Sequence, residues 1–100
     1  MALGDAFRAL GDPTRREVLR LLRASDMTAG ELADRFPLAK STLSRHFAVL
    51  RAADLIVAER QGTHIVYSLN VSVVEEAAAA VMDTLQVGAV RRLRRKERTT

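Results

Sequence analysis

The 100-residue chain contains no cysteine and no tryptophan, and only four of its residues are aromatic. Without cysteine, a disulfide scaffold, a thiolate metal site, a cysteine nucleophile and a thiol redox switch are all excluded. The longest apolar run, residues 77–82, is far shorter than the roughly 20 residues that a membrane-spanning helix needs. At the N-terminus no basic segment precedes an apolar one, so we expect no signal peptide and an intracellular protein.

The composition favours one small domain with an aliphatic, largely helical core. Hydrophobic residues make up 48% of the chain and charged residues 28%, which is typical of a folded globular domain. The net charge of +4 is uneven, because residues 91–98 hold six of the 16 basic residues and one of the 12 acidic ones. We therefore divide the chain into a nearly neutral domain, residues 1–90, and a basic tail, residues 91–100. Three states of the tail are open: a disordered solvated end, a helical extension, or a segment contacting phosphates non-specifically.

Apolar residues repeat at helical spacing through the first half of the chain and predict four helices. The stripe of the first helix stops at Gly11. Asp12 followed by Pro13 is a typical N-cap and first residue of a second helix.

A helix-turn-helix unit follows. Thr28 and Glu31 form the capping-box pattern S/T-x-x-E at the start of the third helix, and we expect Pro37 to end it. A fourth helix then begins within about two residues and runs to about Ala53, so the break between the two helices is short. Three apolar residues of the fourth helix fall on one face and are expected to point inward: Leu43, Phe47 and Leu50.

After residue 56 the apolar period changes from 3.6 to 2, which predicts a half-buried strand over residues 64–69. Residues 57–60 can pair with it across a tight turn at Gln61-Gly62. A second capping-box pattern, Ser72 to Glu75, predicts a last helix that ends near Gly88. The order α-α-α-α-β-β-α, mainly α with a small β-hairpin, is that of a winged helix-turn-helix.

Two stretches of sequence resemble the ArsR/SmtB family of bacterial repressors. The first is Ala-Leu-Gly-Asp-Pro-Thr-Arg at residues 9–15, followed by residues 18–22; the second is residues 41–51, followed by Ala-Asp-Leu-Ile at 53–56. The resemblance covers roughly residues 3–87. It implies a homodimeric DNA-binding repressor of the bacterial cytoplasm, in a family of which many members release DNA when they bind a metal ion.

The outward face of the fourth helix is the predicted DNA-reading surface. With the three apolar residues inward, Ser41 and Arg45 point most directly outward, flanked by Thr42 and Ser44, with Lys40 at the helix N-terminus. Hydroxyl groups can bond to base edges or phosphates, and arginine can bind guanine through two hydrogen bonds. The alternative is an ordinary solvated helix face. Ala39, where relatives often carry a capping serine, predicts a start without a side-chain cap.

The candidate DNA contacts outside this face each have an alternative structural interpretation. His46 lies at the edge of the buried face, and two roles are open for it: a contact to phosphate, or a packed structural histidine. At the hairpin tip, Arg60, Gln61 and Thr63 offer donors to phosphate or the minor groove, although such tips are also polar for solubility alone. We interpret Arg15 and Arg51 as surface charges or members of ion pairs.

No metal ligands or cofactor are expected. Relatives with a thiolate site carry Cys-x-Cys where this sequence has Thr28 and Gly30. Relatives with a second site carry histidine ligands on the last helix, which here has acidic residues but no histidine: Glu75, Glu76 and Asp83. Since borderline ions such as Zn²⁺ prefer histidine or cysteine, the chain resembles a metal-independent, SdpR-like branch of the family.

Dimerisation is expected through the first and last helices, as the resemblance implies. The predicted interface residues are Leu3, Phe7, Leu10, Val74, Ala77, Ala78, Val81 and Leu85. A two-fold dimer would set two recognition helices about 34 Å apart and so predicts an inverted-repeat operator on double-stranded DNA. The alternative is that these faces complete the core of a monomer.

The function predicted is therefore a sequence-specific transcriptional repressor, and the alternative is a winged-helix protein-interaction module that does not read DNA. No catalytic constellation appears at usable spacing, so we expect no enzyme. The signal that lifts repression is open between a small apolar ligand, a sequestering partner protein and protein concentration alone.

Overall fold

The computed structural model describes residues 3–85 as five helices and three strands. In chain order they are α1 Leu3–Leu10, α2 Pro13–Ala24, β1 Met27–Thr28, α3 Ala29–Ala33, α4 Lys40–Ala52, β2 Ile56–Gln61, β3 His64–Leu69 and α5 Val71–Thr84. The predicted order of helices and hairpin is confirmed, with one strand added. The predicted helix end near Gly88 and the basic tail, residues 91–100, lie outside the described residues. Within residues 3–85 no helix is both long and apolar enough to cross a membrane.

The added strand, β1, makes the sheet three-stranded and antiparallel in the order β1-β3-β2. Met27 and Thr28 pair with Tyr67 and Val66 of β3. The hydrophobic pattern of the sequence did not predict this strand. A two-residue strand is too short to show an alternating pattern, and its pairing is supplied by a partner about forty residues further along the chain.

The hairpin is paired from Ile56 opposite Leu69 to Gln61 opposite His64. Its turn is therefore Gly62-Thr63, one residue later than predicted. Gly62 has φ 62°, a left-handed value that glycine adopts without steric cost and that suits the first position of a type II′ turn. Ile65, near this end of the hairpin, is 44% exposed.

Side-chain caps fix where α2 and α3 begin. The Asp12 carboxylate accepts the Thr14 and Arg15 amides at 2.8 and 3.2 Å, as the Asp-Pro pattern predicted. The Thr28 hydroxyl accepts the Glu31 amide at 3.1 Å, while Glu31 Oε1 accepts the Thr28 amide at 3.0 Å, so the capping box is confirmed. The bonds from the Thr28 backbone and side chain lower the pKa of the Glu31 carboxyl.

Two predicted helix boundaries were wrong. Helix α3 ends at Ala33 and not at Pro37, so residues 34–39 form a longer connection to α4 than expected. After Ala33 the chain continues in tighter turns, in which the Arg35 amide bonds to the Leu32 carbonyl at 3.0 Å and the Phe36 amide to the Ala33 carbonyl at 3.3 Å. Helix α5 is capped at Asn70, so Ser72 lies inside the helix, where its hydroxyl donates to Asn70 Oδ1 at 3.2 Å instead of forming a capping box.

One aliphatic core joins all these elements. Phe47 of α4 packs against Tyr67 of β3 with ring centroids 4.9 Å apart. Helix α4 ends in a Schellman motif, in which the Leu55 amide bonds to the Leu50 carbonyl at 3.1 Å and Asp54 takes φ 58°. Leu50 and Leu55 are both buried, so this turn links the end of α4 to β2 through the core. The largest fully buried side chains are Leu32, Leu43, Leu50, Leu55 and Val18.

Candidate nucleic-acid interface

Helix α4 presents a polar, cationic face to solvent because its apolar residues are used in the core. Leu43, Phe47 and Leu50 are 1%, 6% and 0% exposed, as their spacing predicted. Of the five predicted reading residues of this helix, Thr42 is partly exposed and the other four are exposed: Lys40, Ser41, Ser44 and Arg45. We call these five residues the α4 face.

The start of α4 carries no side-chain cap, as predicted. Ala39 occupies the N-cap position, and among residues 3–85 no side chain accepts a hydrogen bond from the first amides of the helix. The first helical bond joins the Leu43 amide to the Ala39 carbonyl at 3.1 Å. Unpaired amides at a helix N-terminus favour a nearby anion such as a phosphate.

The hairpin of β2 and β3 carries the second group of predicted contacts. Arg60, Gln61 and Thr63 are all exposed at its tip. Arg60 lies opposite Ile65 in the ladder, so a cation and an exposed apolar side chain share one face of the tip. These side chains are free to contact a partner.

The His46 side chain is mostly buried and is not part of the α4 face. Its side chain is 16% exposed, and Nδ1 is 3.2 Å from Arg15 Nη1 and 4.0 Å from Asp12 Oδ1. Arg15 also donates from Nε to the Ala9 carbonyl and from Nη2 to the Arg8 carbonyl, each at 2.8 Å. Our interpretation of Arg15 as a surface charge or a member of an ion pair did not include these bonds, because a long side chain can bond to carbonyls that sequence spacing does not bring together.

The Asp12 carboxylate lies close to Arg15 and His46. Partial removal from water opposes its ionisation, but hydrogen bonds from the Arg15 and Thr14 amides outweigh this effect. The pKa of Asp12 is therefore lowered. The negative charge at the start of α2 also complements the helix dipole.

The residues predicted for a dimer interface divide into exposed and internal groups. Phe7 and Leu85 are 41% and 68% exposed, and Ala78 is exposed, while Ala77 is 2% exposed and packs inside the protomer. Three others are partly buried: Leu10, Val74 and Val81. The side chain of Leu3 lies outside the described part of the chain. Sequence reasoning missed two exposed apolar residues of α5, Val71 and Met82, although both are visible in its helical pattern.

The positions that hold metal ligands in relatives have other roles here. Thr28 caps α3, and the three acidic residues of α5, Glu75, Glu76 and Asp83, are exposed. His46 and His64 belong to different elements, α4 and β3. In the region from residue 3 to residue 85, no three histidine, cysteine or acidic residues come together in a group that could hold a metal ion.

A helix-turn-helix pair, α3 and α4, followed by an antiparallel hairpin defines the class of winged helix-turn-helix DNA-binding proteins. Residues 10–59 match the family model of a helix-turn-helix domain. The transcriptional repressor SdpR of Bacillus subtilis is 37% identical over 86 residues, which are 86% of this chain and 96% of that protein.

Solved structures show which family within this class has the same fold. A crystal structure of an ArsR family transcriptional regulator superposes with TM-score 0.77 at 28% identity, covering 87% of this chain and 90% of that one. An ArsR-like transcriptional regulator from Rhodococcus sp. RHA1 gives TM-score 0.76 at 28% identity, covering 98% and 92%. The chain belongs to the ArsR family of helix-turn-helix transcriptional regulators, which are DNA-binding proteins and not enzymes.

Proposed function

We propose that this protein is a sequence-specific transcriptional repressor that acts in the cytoplasm as a homodimer on an inverted-repeat operator, without sensing a metal. The observation that carries the proposal is the α4 face. It is polar and cationic, and its opposite side is anchored in the core by Leu43, Phe47 and Leu50. Such a face suits the major groove of DNA better than an apolar protein partner.

The side chains of the α4 face match the chemistry of base and phosphate recognition. Arg45 can bind guanine O6 and N7 together, and the hydroxyls of Ser41 and Ser44 can bond to base edges or phosphates. Lys40 and the uncapped amides of α4 then face the phosphate backbone. The hairpin tip, with Arg60, supplies further contacts beside the groove.

An apolar seam on α5 supports the homodimer. Val71, Val74, Ala78, Val81 and Leu85 follow the alternating three- and four-residue spacing of a coiled-coil seam. Val71 and Leu85 are 57% and 68% exposed, whereas Ala77 on the neighbouring face is buried in the protomer. Helix α1 packs against α5 and adds Phe7, which is 41% exposed. An apolar surface of this kind is typical of a protein interface.

Metal independence rests on the donor set. The sequence has no cysteine and two histidines, and Thr28 and Gly30 stand where thiolate-site relatives carry cysteine. Neither residue offers a ligand that Zn²⁺ prefers. Addition of Zn²⁺ or a chelator is expected to leave operator affinity unchanged.

Selection of bound duplexes from a random library tests the proposal. We expect one inverted repeat whose half-sites are centred about 10–11 base pairs apart. Arg45→Ala should then weaken binding to the selected operator by roughly 1–3 kcal/mol per half-site and leave binding to random duplex mostly intact.

Arg51→Ala is the matched control from the same helix. Arg51 is exposed in the last turn of α4, about 9 Å further along the axis and about 120° round from Arg45. Its removal should leave discrimination between operator and random duplex unchanged. Equal discrimination by wild type and Arg45→Ala would show that Arg45 does not read the operator.

A further inference from the structure

Arg15 is the side chain that connects three helices. From α2, its Nε donates to the Ala9 carbonyl and its Nη2 to the Arg8 carbonyl, each at 2.8 Å, at the C-terminal end of α1. Its Nη1 lies 3.2 Å from Nδ1 of His46 on α4. A planar guanidinium holds its donors in a fixed fork, so these three bonds are made in one geometry.

The bond to Arg15 determines the state of the His46 ring. A guanidinium can only donate, so Nδ1 must accept, and the neutral ring carries its hydrogen on Nε2. Asp12 Oδ1 is 4.0 Å from the same Nδ1 and is itself held by the Thr14 amide at 2.8 Å. The His46 side chain is thus fixed by groups that belong to the start of α2.

This connection restrains α4 where the core does not. The apolar contacts of Leu43, Phe47 and Leu50 hold one side of the helix, but such contacts are non-directional and allow small rotations about its axis. The helix start has no side-chain cap within the described residues. A directional bond at His46, the residue after Arg45, adds a restraint on that rotation.

We propose that Arg15 is a positioning residue for DNA recognition, which sets the orientation of the α4 face through His46 and ties it to the end of α1. The inference rests on the proposed function for its link to operator binding. Because α1 contributes Phe7 to the proposed dimer interface, the same bonds link the position of α4 in one protomer to the partner protomer.

Arg16 provides a matched control. It is the next residue on α2 and its Nη1 also donates to a carbonyl at the end of α1, that of Leu10, at 2.8 Å. Among residues 3–85, however, the hydrogen bonds of the Arg16 side chain reach α1 only. Arg15→Ala and Arg16→Ala therefore both weaken the end of α1, and only the first releases α4.

The operator affinities of these two variants test the proposal. With both shown to be folded by circular dichroism, Arg15→Ala should lose at least about tenfold more affinity than Arg16→Ala, the scale of one charge-assisted hydrogen bond. Arg15→Lys keeps the charge but not the fork and should resemble Arg15→Ala. Equal affinities for Arg15→Ala and Arg16→Ala would overturn the proposal.

One measurement needs no DNA. The ¹⁵N shifts of the His46 ring should report an accepting Nδ1 in wild type and in Arg16→Ala, and a change in Arg15→Ala, which removes the donor. If wild type selects no operator, the proposed function fails while these shifts still decide whether the Arg15–His46 bond exists. Identical ring shifts in wild type and Arg15→Ala would rule out the bond.

Discussion

A glutamate at position 78 should separate the protomers of the proposed dimer. Ala78 lies at the centre of the α5 seam and is exposed in the single protomer. Within the protomer the change from alanine to glutamate therefore costs only the small difference in helix propensity, a few tenths of a kcal/mol. The monomer is expected to remain folded.

In the dimer the cost is much larger. Two-fold symmetry places both glutamates in the seam, beside Val74 and Val81, and helix α5, Val71–Thr84, has no basic residue of its own to pair with them. Leaving one charge buried and unpaired costs about 3–5 kcal/mol. One such buried glutamate is therefore enough to raise the dimer Kd by about a thousandfold. Operator affinity should fall with it, because each protomer alone reaches one half-site.

Ala79→Glu is the control. It adds the same charge to an exposed alanine one residue away, about 100° round the helix and off the seam. Sedimentation equilibrium over a concentration series should show a monomer for Ala78→Glu and a dimer for Ala79→Glu. If Ala78→Glu sediments as wild type does, α5 is not the interface.

Two predictions concern stability. The pKa of Asp12 and of Glu31 is lowered on folding, so the stabilisation from each carboxylate is complete at neutral pH and is lost as the pH falls from about 4.5 through the lower native pKa. The difference in urea midpoint between wild type and Asp12→Asn should therefore shrink between pH 7 and pH 3, and a constant difference would contradict the assignment. Asp54 takes the left-handed φ of 58° at the end of α4, which is unfavourable for a residue with a Cβ, so Asp54→Gly should stabilise the protein by up to about 1 kcal/mol. A higher urea midpoint with an unchanged m-value is the expected result, and a lower midpoint would contradict it.

The α4 face was predictable because it depends on local sequence alone. The spacing of Leu43, Phe47 and Leu50 fixes which side of the helix is buried, and the exposed side follows from it. The starts of α2 and α3 were predictable for the same reason, since Asp12 and Thr28 cap the helices that directly follow them.

The features that sequence reasoning missed depend on distant partners or on competition between neighbouring signals. Strand β1 exists because Tyr67 and its neighbour are available to pair with it. Ser72 matched a capping pattern, but the helix begins one residue before it, at Val71, with Asn70 in the N-cap position directly after β3. The Arg15 side chain bonds to carbonyls six and seven residues before it and to His46, which is thirty-one residues further on. No local pattern encodes such a set of contacts.

The most direct test of the central claim uses the selected operator with 7-deazaguanine placed at each guanine in turn, which removes the N7 acceptor from the major groove. Wild type should lose affinity at one guanine in each half-site, and Arg45→Ala should be insensitive to the substitution at that position. If Arg45→Ala loses as much affinity as wild type at every guanine, the α4 face does not read this operator through Arg45.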